Sequence, residues 1–259
     1  MRKLISISFI LTCVFILTSC EKKSESPTGP NAQFYFDPPL GKVYNFTTFM
    51  LDTLDQRTQE SFNYSDKIIR KNVNIGGVND ALVLVSVSPY YSDTSYLRVV
   101  NGKDIYEYTD TTNYLVNDSR LENMIKNNLK KLTQNYVWLP RVLLGMGDNA
   151  EYIILSRRTY TVEVDTGLFL DFSFEIKGKN EGFENVTVPY GTFKAYKVKW
   201  SLTADVYYRG TKIDNFDMIQ YIWLNDDLDW VVKIYKPTTK ANVLGIVDRG
   251  QETVLVNVQ

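Results

Sequence analysis

Carboxylates dominate the chemistry open to this chain. Its 259 residues include 30 Asp+Glu and no His. Without an imidazole there can be no His-based catalytic triad and no His-containing metal site. The only two cysteines are Cys13 and Cys20, both near the start, so the rest of the chain has no disulfide, no thiolate nucleophile and no Cys-ligated metal. Paired acids are the remaining scheme for hydrolysis. Asp171 and Glu175 fall on one face of a strand-like pattern, but four strand residues separate them by roughly 13 Å. Glycosidase pairs sit about 5–5.5 Å apart for retention, or about 6.5–9.5 Å for inversion. These two therefore read as solvated strand positions, while a pair assembled from different strands stays open. Asn225-Asp226-Asp227-Leu228-Asp229 offers oxygen ligands for Ca²⁺, yet it lacks the Gly and closing Glu of an EF-hand loop and reads as an Asx-rich turn. Gly145-Met146-Gly147 has neither the rest of a nucleotide fingerprint nor a βαβ frame around it, and reads as a loop.

Aromatic residues are the second candidate. There are 18 Tyr, 13 Phe and 4 Trp, more than a core of this size needs. Tyr and Trp give large contact area at low entropy cost and suit binding faces. Cross-strand aromatic pairs within a sheet are the alternative. Trp200, Tyr221, Trp223 and Trp230 are the candidate ligand contacts. No cofactor and no metal is expected.

These residues must be placed by strands. From Phe34 onward, apolar residues recur with period two, the pattern of a strand with one face buried. Tyr44, Phe46, Thr48 and Met50 share a face. So do Leu168, Leu170, Phe172, Phe174 and Ile176, and then Tyr196, Val198, Trp200, Leu202, Ala204, Val206 and Tyr208. Ala81–Val87 begins apolar on both sides, as a doubly covered strand does. Asn101-Gly102 between two such runs predicts a type I′ hairpin turn, because both residues accept positive φ. Asp165-Thr166-Gly167, Arg209-Gly210-Thr211 and Asp248-Arg249-Gly250 mark further turns. Between Asn117 and Asn135 the period changes. Leu121, Met124, Ile125, Leu129 and Leu132 align on one helical face, and Ser119 with Glu122 has capping-box form. One amphipathic helix is expected there, packed on the sheet. The fold class predicted is mainly β: an antiparallel β-sandwich or curled half-barrel with one amphipathic helix.

The first nineteen residues have the form of a secretion signal. Arg2 and Lys3 precede an apolar run from Leu4 to Leu17, whose fourteen residues as helix span about 21 Å, short of the roughly 30 Å hydrocarbon core. Removing Arg2 and Lys3 takes 29 Lys+Arg to 27 against 30 Asp+Glu. A net charge of −3 with no basic cluster speaks against a nucleic-acid partner. Leu17-Thr18-Ser19-Cys20 resembles the lipobox of bacterial lipoproteins. The resemblance implies cleavage before Cys20, lipidation of its thiol and stable anchoring, since each buried CH₂ adds about 0.8 kcal/mol. Residues 20–33 read as the lipidated Cys and a flexible tether, rich in Pro, Ser and charge. Glu21 is not the Asp that resemblance links to inner-membrane retention, and the charged tether resembles surface-export signals of Bacteroidetes-type lipoproteins. The expected location is the cell envelope, outer membrane rather than inner, facing the periplasm or the cell surface.

Val186-Thr187-Val188-Pro189-Tyr190-Gly191-Thr192-Phe193-Lys194-Ala195-Tyr196-Lys197-Val198 resembles a V-P-x-G-T-F hairpin found in a group of uncharacterised β-rich bacterial lipoproteins. Tyr221-Ile222-Trp223-Leu224 and Trp230-Val231-Val232-Lys233 fit the same plan, with Asp229 where that group commonly has Gly. In the hairpin, Pro189 is expected to fix φ and Gly191 to take the positive φ of a bulge. At fold level the group resembles the curled sheets of LolA/LolB-type lipoprotein carriers, which hold acyl chains on the concave side. Residues 34–259 are read as one domain with a non-enzymatic role, either binding an apolar, glycan or protein ligand or supporting envelope structure. The alternatives are a carboxylate-based glycan hydrolase and an assembly or adhesion subunit that docks by strand addition.

Overall fold

The computed structural model describes residues 34–110, 136–240 and 247–259. The expected helix over Asn117–Asn135 lies outside them, as do the leader, Cys20 and the tether. The first half forms β1 (Val43–Leu51), β2 (Arg57–Ile75), β3 (Val78–Val87), β4 (Ser92–Val100), β5 (Asp104–Asp110) and β6 (Tyr136–Leu143). The second half forms β7 (Glu151–Asp165), β8 (Leu168–Val188), β9 (Gly191–Tyr208), β10 (Thr211–Asn225), β11 (Trp230–Lys236), the short pair β12 (Thr239–Lys240) and β13 (Val247–Asp248), and β14 (Gln251–Val258).

Twelve of these strands make a single antiparallel sheet, in the order β6-β5-β4-β3-β2-β1-β14-β11-β10-β9-β8-β7. Each half is a meander. The last strand, β14, joins them by pairing with β1 on one side and β11 on the other. The sheet curls into a nearly closed barrel. It is therefore the curled form and not two packed sheets. A strand every few residues with one apolar face produces this outcome, because curling a long twisted sheet buries that face without a second layer.

Hairpin chemistry sets the register. Asn101 and Gly102 have φ of 55° and 63°, the pair that a type I′ turn requires. Lys103 N–H closes the turn on the Val100 carbonyl, and the ladder then resumes at Val100 with Asp104. Arg209 and Gly210 repeat the pattern between β9 and β10, with φ of 50° and 78°. The Pro189 hairpin differs from expectation. Val188 pairs with Gly191 across a two-residue loop, and Gly191 is not among the residues with positive φ. Its bulge lies instead at Asn180–Gly182, where Gly182 has φ of 91°. Asp229 does adopt a left-handed φ, 54°, which Asp tolerates better than most residues. Its carboxylate accepts the Asp37 N–H at 3.0 Å.

The main core lies inside the barrel around Tyr44, Phe46, Ile68, Leu84, Val198, Ile222 and Leu255. Two smaller clusters continue along the long strands of the second half, one around Phe174, Ile176 and Leu202, the other around Val162, Phe172 and Val206. The sheet ends, β6 and β7, meet without a ladder. Pro140 suits β6, because an edge strand can spare an N–H. The β5–β6 register shifts there: Tyr106 pairs with Pro140 and Ile105 with Val142, leaving Arg141 as the extra residue. Its carbonyl accepts the Tyr152 hydroxyl of β7 at 3.3 Å and the Trp200 indole of β9 at 2.8 Å. Asn180 Nδ2 reaches the Leu143 carbonyl at 2.8 Å. Side chains thus fasten the seam.

Candidate ligand-binding lumen

The apolar face of the sheet does not fill the barrel. A cavity of about 410 Å³ runs inside it, and a second of about 320 Å³ adjoins it. Asp93, Glu107, Arg141 and Gln220 line both. These sizes are typical of sites for small organic ligands, about 300–1,000 Å³.

The larger cavity has two different walls. Every charged residue that lines it comes from β2–β6: Asp66, Asp93, Glu107 and Arg141. The facing wall, built by β1, β10, β11 and β14, is uncharged: it contributes Ile222, Leu224, Trp230 and Ile234 together with Thr48, Gln220, Gln251 and Thr253. Strand alternation explains the placement. On β2, Asp66 shares its face with Phe62, Tyr64 and Ile68, so the pleat that turns those rings inward turns the carboxylate inward too. Across the ladder Asp66 pairs with Ser86, and Ser86 with Asp93. The three form a row, with the two acids two strand spacings, roughly 10 Å, apart.

Asp66 is only 9% exposed. The Ser86 hydroxyl donates to one of its oxygens at 2.6 Å and the Trp230 indole to the other at 3.3 Å. Burial pushes the Asp66 carboxyl up to about 6, against the pull of Ser86, Trp230 and Arg141. Tyr64 stacks on Phe46 with ring centres 5.0 Å apart, and burial together with the Asp66 and Tyr91 charges pushes its phenol up. Arg141 lies 3.4 Å from Glu107 and 5.2 Å from the centre of the Trp200 ring. Among the described residues, no ion pair involves Asp66 or Asp93.

The four aromatics singled out from sequence separate. Trp230 lines the larger cavity and Trp200 the smaller. Trp230 is buried, stacked between Phe36 and Tyr44 at 6.0 and 5.3 Å. Tyr221 and Trp223 line neither cavity. They lie on the opposite face of β10, beside Tyr235. There the Trp223 indole donates to Glu184 at 2.6 Å, and Lys197 and Lys233 lie over its ring.

The other candidates have ordinary partners. Asp171 accepts from Thr161. Glu175 joins an exposed network with Arg157 and Lys177, while Arg157 and Lys212 hold Asp205. Burial would raise Glu175, but Lys177 and Arg157 outweigh it and hold it below the usual carboxylate range. Asn225 uses its side chain within its own turn, accepting from Leu228 N–H and donating to the Lys194 carbonyl. Among the described residues no group of three or more acids is placed to hold a metal ion. Asp66, Asp93, Glu107 and Arg141 were not legible as site residues. The available signal was a charged residue on the apolar face of an alternating strand, as Asp66 is among Phe62, Tyr64 and Ile68.

Among known proteins, the chain matches no family model and no curated protein. Two solved structures are similar to it. One is a provisionally named lipoprotein of Parabacteroides distasonis ATCC 8503, 14% identical with a TM-score of 0.44, the alignment covering 87% of this chain and 98% of that one. The other is a provisionally named exported protein with a YmcC-like fold from Bacteroides fragilis NCTC 9343, 11% identical with a TM-score of 0.39, covering 87% and 99%.

Proposed function

We propose that this chain is an exported lipoprotein, anchored to an envelope membrane through Cys20, whose barrel binds a small amphiphilic ligand in its lumen and does not transform it. The observation that carries this reading is the larger cavity, with a buried carboxylate on one wall and an uncharged, largely aliphatic and aromatic surface opposite. An unmatched buried charge weakens a fold, and such groups concentrate at functional sites. The signal sequence, the lipobox-like Leu17–Cys20 and the tether support the location. The test is native mass spectrometry of the whole chain released from envelope membranes. A bound small molecule is expected, and it should be lost in Ser95→Trp, which fills the lumen. A ligand-free chain with an unoccupied lumen in both proteins refutes the reading.

A second reading has one observation in its favour: Asp66 and Asp93 line the same cavity from strands two apart. Two acids thus reach one cavity from different strands, although a spacing of roughly 10 Å is wider than the roughly 6.5–9.5 Å of an inverting pair. Binding is better supported, because both Asp66 oxygens are already engaged by Ser86 and Trp230. A general acid must present its proton to the leaving oxygen. Turnover of labelled oligosaccharides that disappears in Asp66→Asn would reverse this preference.

A further inference from the structure

The charge and ring chemistry of the larger cavity narrow the ligand class. Phe36, Phe62, Tyr64, Tyr91 and Trp230 line it together with Asp66, Asp93 and Glu107. Glu107 has Arg141 at 3.4 Å, whereas the Asp66–Asp93 row has no ion pair among the described residues and feels Arg141 only at longer range. Aromatic faces beside carboxylates attract organic cations twice over, through the ring quadrupole and through the acid. An anionic head would meet two carboxylates, the inner one, Asp66, buried from the water that would screen it. A neutral head could donate a hydrogen bond to them but would leave their charge unbalanced.

Polarity also gives an orientation. Tyr91 and Asp93 are exposed, whereas Asp66 is buried further in. The acids follow one another on β2 and β4, and the wall facing them on β10 and β11 is uncharged, with Ile222, Leu224 and Ile234 beside the single polar side chain of Gln220. A ligand satisfies both walls when its body lies on Ile222, Leu224 and Ile234 and its charged end turns toward β2–β4. We infer that the lumen selects an organic amine: a cationic ammonium head held by Asp66, Asp93 and the surrounding aromatic rings, attached to an apolar body lying on β10 and β11. This inference rests on the lumen being a binding site.

The test uses the whole chain in lipid nanodiscs with three probes of equal tail: octylammonium, octanoate and octanol. Intrinsic Trp fluorescence reads binding, because Trp230 and Trp200 line the cavities, and empty nanodiscs correct for partition into lipid. Octylammonium is expected to bind at least about tenfold more tightly than either of the others. Asp66→Asn should lower its affinity about tenfold and Asp93→Asn by less, with octanol binding unchanged in both. Equal or tighter binding of octanoate or octanol overturns the choice of head group while the lumen still binds. No binding of any probe, in a chain whose circular dichroism shows intact sheet, overturns both the inference and the lumen reading.

Discussion

Two tryptophans seven residues apart make the same kind of bond on opposite sides of one wall. Trp223 on β10 donates to Glu184 on the outside. Trp230 on β11 donates to Asp66 on the inside. Outside, the carboxylate has company: Lys197 lies 3.8 Å from Glu184 and, with Lys233, covers the Trp223 ring. Inside, Asp66 has a hydroxyl and an indole and no ion pair among the described residues. The outer arrangement is self-sufficient and asks for nothing more. The inner one holds a charge at a cost, facing an open cavity. An indole–carboxylate bond therefore says little about function by itself. What separates the two is whether charge balance is completed within the protein.

The largest effect should come from the inner member. Trp230→Ala removes a buried ring stacked on Phe36 and Tyr44, and the loss in urea denaturation should be about 3–5 kcal/mol. Next comes Asp66→Asn, with the opposite sign. The native Asp66 carboxyl titrates near 6, above its ordinary value of 3.8, so the folded chain holds this proton more tightly than the unfolded chain. Below the lower value both states are protonated and nothing is lost. As pH rises from there through 6 the native state pays for ionisation, and stability falls. Asp66→Asn should thus gain about 3 kcal/mol at pH 8 and less than about 1 kcal/mol at pH 4, read from urea midpoints at both values. A gain independent of pH would break the contrast.

Gly178→Ala probes the inner face near the seam. A Cβ there would stand 2.2 Å from Cζ of Tyr152, which must shift, so a loss of about 1–3 kcal/mol is expected in the same assay. The outer pair should respond least. Glu184→Gln leaves an acceptor for the Trp223 indole and removes a partly exposed ion pair, so the change should stay below about 1 kcal/mol. A larger loss would mean that the outer side also depends on an uncompensated charge.

The sequence made the strands legible because alternation is strong in Leu168–Ile176 and Tyr196–Tyr208, and Asn101-Gly102 named its own turn. It could not separate Trp223 from Trp230. Tyr221-Ile222-Trp223-Leu224 is apolar on both faces, so alternation gives no direction, and a register shift between Trp223 and Leu224 breaks the count toward Trp230. Asp66 is not legible as a site residue because an acid in a strand is usually a wet position; only the curling of the sheet shows its face to be the inner one. Gly191 misled for a related reason. The V-P-x-G pattern suggests a left-handed glycine, whereas here Pro189 and Tyr190 complete the turn alone. A Cβ on Gly191 would meet Phe193 at 3.4 Å, an ordinary van der Waals contact, so neither backbone twist nor space demands glycine there.

The fastening between β6 and β7 gives the barrel a separable joint. Elsewhere around its girth, widening the wall means surrendering a run of main-chain bonds, which no point mutation can do gradually. At the joint the hold is made by side chains: Tyr152, Trp200 and Asn180 reach carbonyls of Arg141 and Leu143, and Leu139 packs with Tyr152 and Ile154. Each can be exchanged by one codon change. The bore can therefore change in calibre by single substitutions at this joint while the ladder that specifies the fold is left alone.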